Sequence, residues 1–100
     1  MIDSVYISGP ITGMKNMNLE AFIVAKSKLR REGFYSITNP FSVTAGIPGN
    51  SKHSTYMRAC LKKLVDCEAI YMLHGWWHSR GAIVELIVAK ACGLKIMWEK

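Results

Sequence analysis

The chain has 100 residues, half of them hydrophobic, which suits one domain spanning residues 1–100 with a real core and leaves no room for a second. Its 13 basic and 7 acidic residues give a net charge of +6, compatible with an anionic partner, while three cysteines without a CxxC argue against a disulfide framework and for reduced, buried thiols in a cytoplasmic protein. No signal-peptide pattern opens the chain, no apolar run approaches the ~20 residues of a membrane span, and His74 and His78 flank a strand end and loop rather than a helix face, so no metal site is expected.

Val5 to Ser8 is a β-branched and aromatic run halted by Gly9 and Pro10, the pattern of a buried strand entering a tight loop. The loop Ile11 to Met17 leads to Asn18, a candidate cap for a helix whose apolar residues Leu19, Phe22, Ile23 and Leu29 recur at helical spacing until Gly33 ends it. Tyr35 to Thr38 reads as a weaker strand, stopped by Asn39 and Pro40. From Phe41 to Ser54, Gly46, Pro48, Gly49 and Asn50 interrupt any periodicity, which predicts a long loop of the kind that forms a lid or rim. A second helix follows, with Met57, Cys60, Leu61, Leu64 and Val65 in one stripe and Arg58, Lys62 and Lys63 facing away. The basic residues there, and Lys26, Lys28, Arg30 and Arg31 before them, fall at polar helical positions and read as solvated faces rather than a nucleic-acid surface.

Ala69 to Leu73 is continuous enough for a central strand, and Lys95 to Trp98 is a final one. Strands alternating with helices predict right-handed crossovers and a parallel sheet covered on both faces. In such sheets the ligand crevice lies beyond the carboxyl ends of the strands. That rim gathers Ser8, Gly9, Pro10, Asn39, the aromatic pair Trp76 and Trp77, and Ser79.

The last helix holds the most informative residue. Ser79 reads as its N-cap and Gly93 as its terminator, and Ala82 to Ala89 is apolar except for Glu85, so the helix and its carboxylate should be largely buried. The positions three and four residues away are Gly81, Ala82, Val88 and Ala89, none charged, which denies Glu85 a surface pair on its own helix. It therefore meets a partner from another element or faces a cavity that needs it.

Taken together, Tyr6 to Pro10, Asn39-Pro40, Tyr56 to Arg58, and Ser79 to Ala82 followed by Glu85 resemble the nucleoside 2-deoxyribosyltransferase superfamily, over nearly the whole chain. The match is closest to its short branch, common in phages and prophages, and the chain is also similar to the 2'-deoxynucleoside 5'-phosphate N-hydrolases. The resemblance implies an α/β, Rossmann-like (flavodoxin-like) three-layer sandwich with a central parallel sheet of four or five strands. It also implies a deoxynucleotide or nucleoside ligand, no cofactor, and a homodimer or larger ring in which a neighbour completes the pocket.

Residue by residue, the resemblance places Glu85 at the carboxylate that attacks the anomeric carbon of the sugar, and Gly9 and Pro10 where the first loop approaches that sugar. Ser79 falls where the transferases carry Asp and the monophosphate hydrolases Ser. With Gly81 at a helix N-terminus, a Ser suits a phosphate. Tyr6 contacts the sugar or base, or else packs in the core; Trp76 stacks a base, or else fills an interface. Cys60 is a departure, because relatives keep there an Asp that holds and protonates the leaving base, and a thiol is a poor substitute. Three readings stay open: N-glycosidic cleavage or deoxyribosyl transfer through Glu85, a nucleotide binder of the same fold that has lost activity, and a basic nucleic-acid-binding domain.

Overall fold

The computed structural model describes residues 3–99. Strand β1 (Ser4–Ser8) lies at the centre of a four-stranded sheet with β2 (Ser36–Thr38), β3 (Ala69–Met72) and β4 (Lys95–Trp98), in the order β2-β1-β3-β4 and parallel throughout. This is the parallel sheet that the alternation of elements predicts and the Rossmann-like α/β architecture that the resemblance implies. Helices α1 (Leu19–Arg31), α2 (Pro40–Thr44), α3 (His53–Leu64) and α4 (Arg80–Ala91) cover it.

The two faces follow from the two-residue period of a strand. Val5 and Ile7 of β1, with Ala69, Tyr71 and Leu73 on and just after β3, pack against Phe22, Ala25 and Leu29 of α1. Tyr6 of β1 and Ile70 and Met72 of β3 point the other way, onto Cys60 and Leu64 of α3 and Ala82, Leu86 and Ala89 of α4. Small residues at 82 and 89 bring α4 close to the sheet. Gly9 has the same purpose where β1 ends: a Cβ there would stand 2.7 Å from the Cβ of fully buried Leu73, so only glycine lets the two strand exits pass.

Several expectations need correction. Phe41 to Ser54 is not one long loop, because α2 begins at Pro40 and α3 at His53. Proline at the first helical position, capped by Asn39 through its side-chain oxygen and the Ser42 amide at 3.0 Å, makes a helix too short to show a period. Asn18 stands at the N-cap of α1 without capping it: its φ is 60°, and its side-chain amide donates to the Pro10 carbonyl at 3.0 Å, tying the first loop back to the end of β1. The loop before it is partly ordered as a 3-10 turn, Lys15–Asn18, and a second such turn covers Trp76–His78. Leu19 and Ile23 of α1 and Val65 after α3 are exposed, not core, and Cys92, at the last turn of α4, is exposed while Cys60 and Cys67 are buried.

α4 departs most from expectation. It is apolar on nearly its whole circumference, yet only Ala82, Glu85, Leu86 and Ala89 are buried, and Ile87 is 60% exposed on the opposite side. One of the two cores, against β1, β3 and β4, uses one side of this helix and leaves the other open. Among the described residues no helix is long and apolar enough to cross a membrane.

Candidate active site

Glu85 is 4% exposed and its carboxylate reaches the central strand. The Tyr6 hydroxyl donates to Oε2 at 2.5 Å and the Ser8 hydroxyl to Oε1 at 2.6 Å. Two residues apart on β1, Tyr6 and Ser8 necessarily face the same side of the sheet, and that side is the one α4 covers. Both partners are neutral hydroxyls, so among the described residues the acid is held by hydrogen bonds across elements and not by a salt bridge. Two open hollows elsewhere on the surface do not include Glu85, Tyr6 or Ser8 in their lining.

The electrostatics divide cleanly. Burial pushes the Glu85 carboxyl above the usual carboxylate range, and the Ser8 and Tyr6 hydroxyls pull it partly back by stabilising the anion. Burial, with Glu85 and Cys60 beside it, holds the Tyr6 phenol far above its ordinary value, so it stays a donor. Cys60 lies against Tyr6, 5% exposed, and burial raises its thiol as well, so it keeps its proton. Ser8, Tyr6, Glu85 and Cys60 thus form one connected polar cluster inside an otherwise apolar core.

Ser79 caps α4 as its sequence position suggests, its hydroxyl oxygen accepting from the Ala82 amide at 3.1 Å while its carbonyl takes the Ile83 amide. That leaves the amides of Arg80 and Gly81 at the positive end of the helix to solvent or a ligand. Gly81 also lets α4 lie close to α3, since a Cβ there would stand 3.3 Å from the Met57 sulfur. Pro10 is buried beside Gly75, whose φ of 87° turns the chain out of β3. Asn39 spends its side chain on the α2 cap and is not one of the residues hydrogen-bonded to Glu85. Trp76 is half-buried in an aromatic group with Trp77 and Trp98, ring centroids 5.7 and 5.6 Å away.

Position in the sequence singled out each of these residues but not the pairing of Ser8 and Tyr6 on one carboxylate, although the period-two spacing on a strand was its signal. Trp98 gave no local sign of joining the aromatic group.

In chain trace the molecule is similar to the 2-deoxyribosyltransferase of the psychrotolerant bacterium Bacillus psychrosaccharolyticus, with a TM-score of 0.77 over 95% of this chain and 70% of that one, at 15% sequence identity. At that identity the likeness establishes the fold. No curated protein matches the sequence. A family profile described as a domain of unknown function, DUF4406, matches residues 3–98. Spanning nearly the whole chain, that match makes this protein a member of the DUF4406 family.

Proposed function

We propose that the protein cleaves, or transfers across, the N-glycosidic bond of a deoxynucleotide or nucleoside, with Glu85 as nucleophile. The observation that carries the reading is a buried carboxylate, without a cationic partner among the described residues, whose two oxygens are fixed by hydroxyls from the central strand. Such a group is oriented and poorly solvated, and it is ready to stabilise a positive sugar carbon. In the proposed step one Glu85 oxygen bonds to the anomeric carbon as the carbon–nitrogen bond breaks, and the electron pair leaves with the base, which takes up a proton. Water, or a second base, then attacks the same carbon and releases the carboxylate.

The Arg80 and Gly81 amides beside the Ser79 cap suit the 5'-phosphate of a nucleotide, which favours monophosphates over free nucleosides and hydrolysis over transfer. The departure at Cys60 from the Asp of the proteins it resembles points to a slow enzyme, since a protonated thiol of raised pKa is a weak proton donor to the leaving base. The exposed apolar side of α4, with Val84 and Ile87, favours a homodimer built on that helix, because one self-complementary patch is all a two-fold interface requires.

The test is incubation of the pure protein with each deoxynucleoside monophosphate, with and without a second free base, followed by chromatography. Hydrolysis releases free base and deoxyribose 5-phosphate, the expected result; transfer yields a new nucleotide only when the acceptor is present. Ligand-induced thermal stabilisation without any product would replace the enzyme reading by a nucleotide binder.

A further inference from the structure

Away from Glu85, α3 turns a second face toward α2. Cys60 and Leu64 enter the core, while Ala59, Lys62, Lys63 and Asp66 follow at the three- and four-residue spacing of the next helical row. Two adjoining hollows, of about 490 and 320 Å³, open on this row and share Ala59 and Lys62. The larger is also lined by Thr38, Ser42, Val43, Lys63 and Asp66, and the smaller by Ile47, Thr55 and Arg58.

On a lone helix, Arg58, Lys62 and Lys63 would be an ordinary solvated face. Here α2, which stands where a loop was expected, borders the larger hollow through Ser42 and Val43, and three cations against the single carboxylate of Asp66 line the two open hollows, which concentrates positive charge on this face. The two hollows meet at Ala59, which adds only a methyl group, and at Lys62. Lys62 and Lys63 rise about 6 and 7.5 Å along the axis from Arg58 at ~1.5 Å per residue, a ladder suited to several linked anionic groups more than to one. Val43 offers an apolar surface at one end, and Asp66 is an acceptor there for a hydroxyl or amino group.

We infer that this groove binds an organic polyphosphate of the nucleoside di- or triphosphate class, its phosphates on Arg58, Lys62 and Lys63 and its organic end against Val43, Thr38 and Asp66. None of these residues belongs to the hydrogen-bonded set around Glu85, so the site stands or falls apart from the N-glycosidic chemistry.

A backbone-amide NMR titration with ATP, and in parallel with inorganic triphosphate, tests it. Saturable shifts confined to residues 38–47 and 55–66 are expected, with ATP the tighter of the two because its organic end adds contacts. Arg58→Glu combined with Lys62→Glu should weaken ATP by at least about tenfold, the scale of losing charge-assisted phosphate contacts. Lys26→Glu with Arg31→Glu, the same charge change on the exposed side of α1, should leave affinity within about twofold, beyond what screened long-range charge supplies. All four residues are exposed, and circular dichroism checks that the fold survives. Equal losses in the two pairs would reduce the binding to net-charge attraction and overturn the proposal. So would shifts confined to residues 79–82, or a short oligothymidylate that outcompetes ATP at equal phosphate concentration.

Discussion

Glu85 shows how a residue can be costly for folding and still well placed. An acid with its carboxyl pushed up by burial is favoured in its neutral form, so the anion needed for attack is held only as well as its donors allow. Tyr6 is one of those two donors. Tyr6→Phe removes its hydrogen bond to Oε2, and the Glu85 carboxyl should rise further. The acid limb of the pH–rate profile should then move to higher pH and kcat fall by about tenfold, on the scale of one lost charge-assisted hydrogen bond. An unmoved acid limb would show that Tyr6 only fills space. At Cys60 the prediction runs the other way. An Asp placed there would sit in a buried position beside Glu85, where desolvation and like charge keep a carboxyl protonated and able to donate. Cys60→Asp should therefore raise turnover, by up to the ~10² to 10⁴ typical of general acid help, with steady-state kinetics as the readout. Unchanged turnover would make Cys60 a packing residue and misplace the leaving base.

At the scale of elements, glycine at the end of β1 is set by the sheet before any ligand is considered. Gly9→Ala would thrust a methyl into Leu73 and should cost about 1–3 kcal/mol, measurable as a lower midpoint in urea with the slope unchanged. A neutral result would mean that Leu73 yields freely. The alternation of β-rich and helical segments made the parallel sheet legible, and Ser79 and Gly93 marked both ends of α4 because caps are local chemistry. α2 was not legible, since five residues opened by Asn39-Pro40 carry turn-forming composition and no full period. Nor was the exposure of Ile87, because periodicity tells which residues are apolar but not whether the chain has enough neighbours to cover them. Among site residues, Glu85 stood out through its missing helical partners. Its hydroxyl partners lay nearly eighty residues away in sequence and emerged only from the register of α4 on β1.

For the whole molecule, the open side of α4 lies opposite the face carrying Glu85, so association through it would brace that helix from outside. Ile87→Lys should shift the protein from dimer to monomer in sedimentation velocity while leaving the circular dichroism spectrum intact; a wild-type protein already monomeric at high concentration would contradict the homodimer. The central claim is that chemistry runs through one buried carboxylate, and Glu85→Gln tests it most directly, because the amide keeps size and hydrogen-bonding shape but cannot attack the sugar or neutralise its charge. Product formation from the best deoxynucleoside monophosphate, followed by chromatography alongside thermal stabilisation by the same ligand, should vanish in Glu85→Gln while the stabilisation persists; base released by the variant at the wild-type rate would contradict the account.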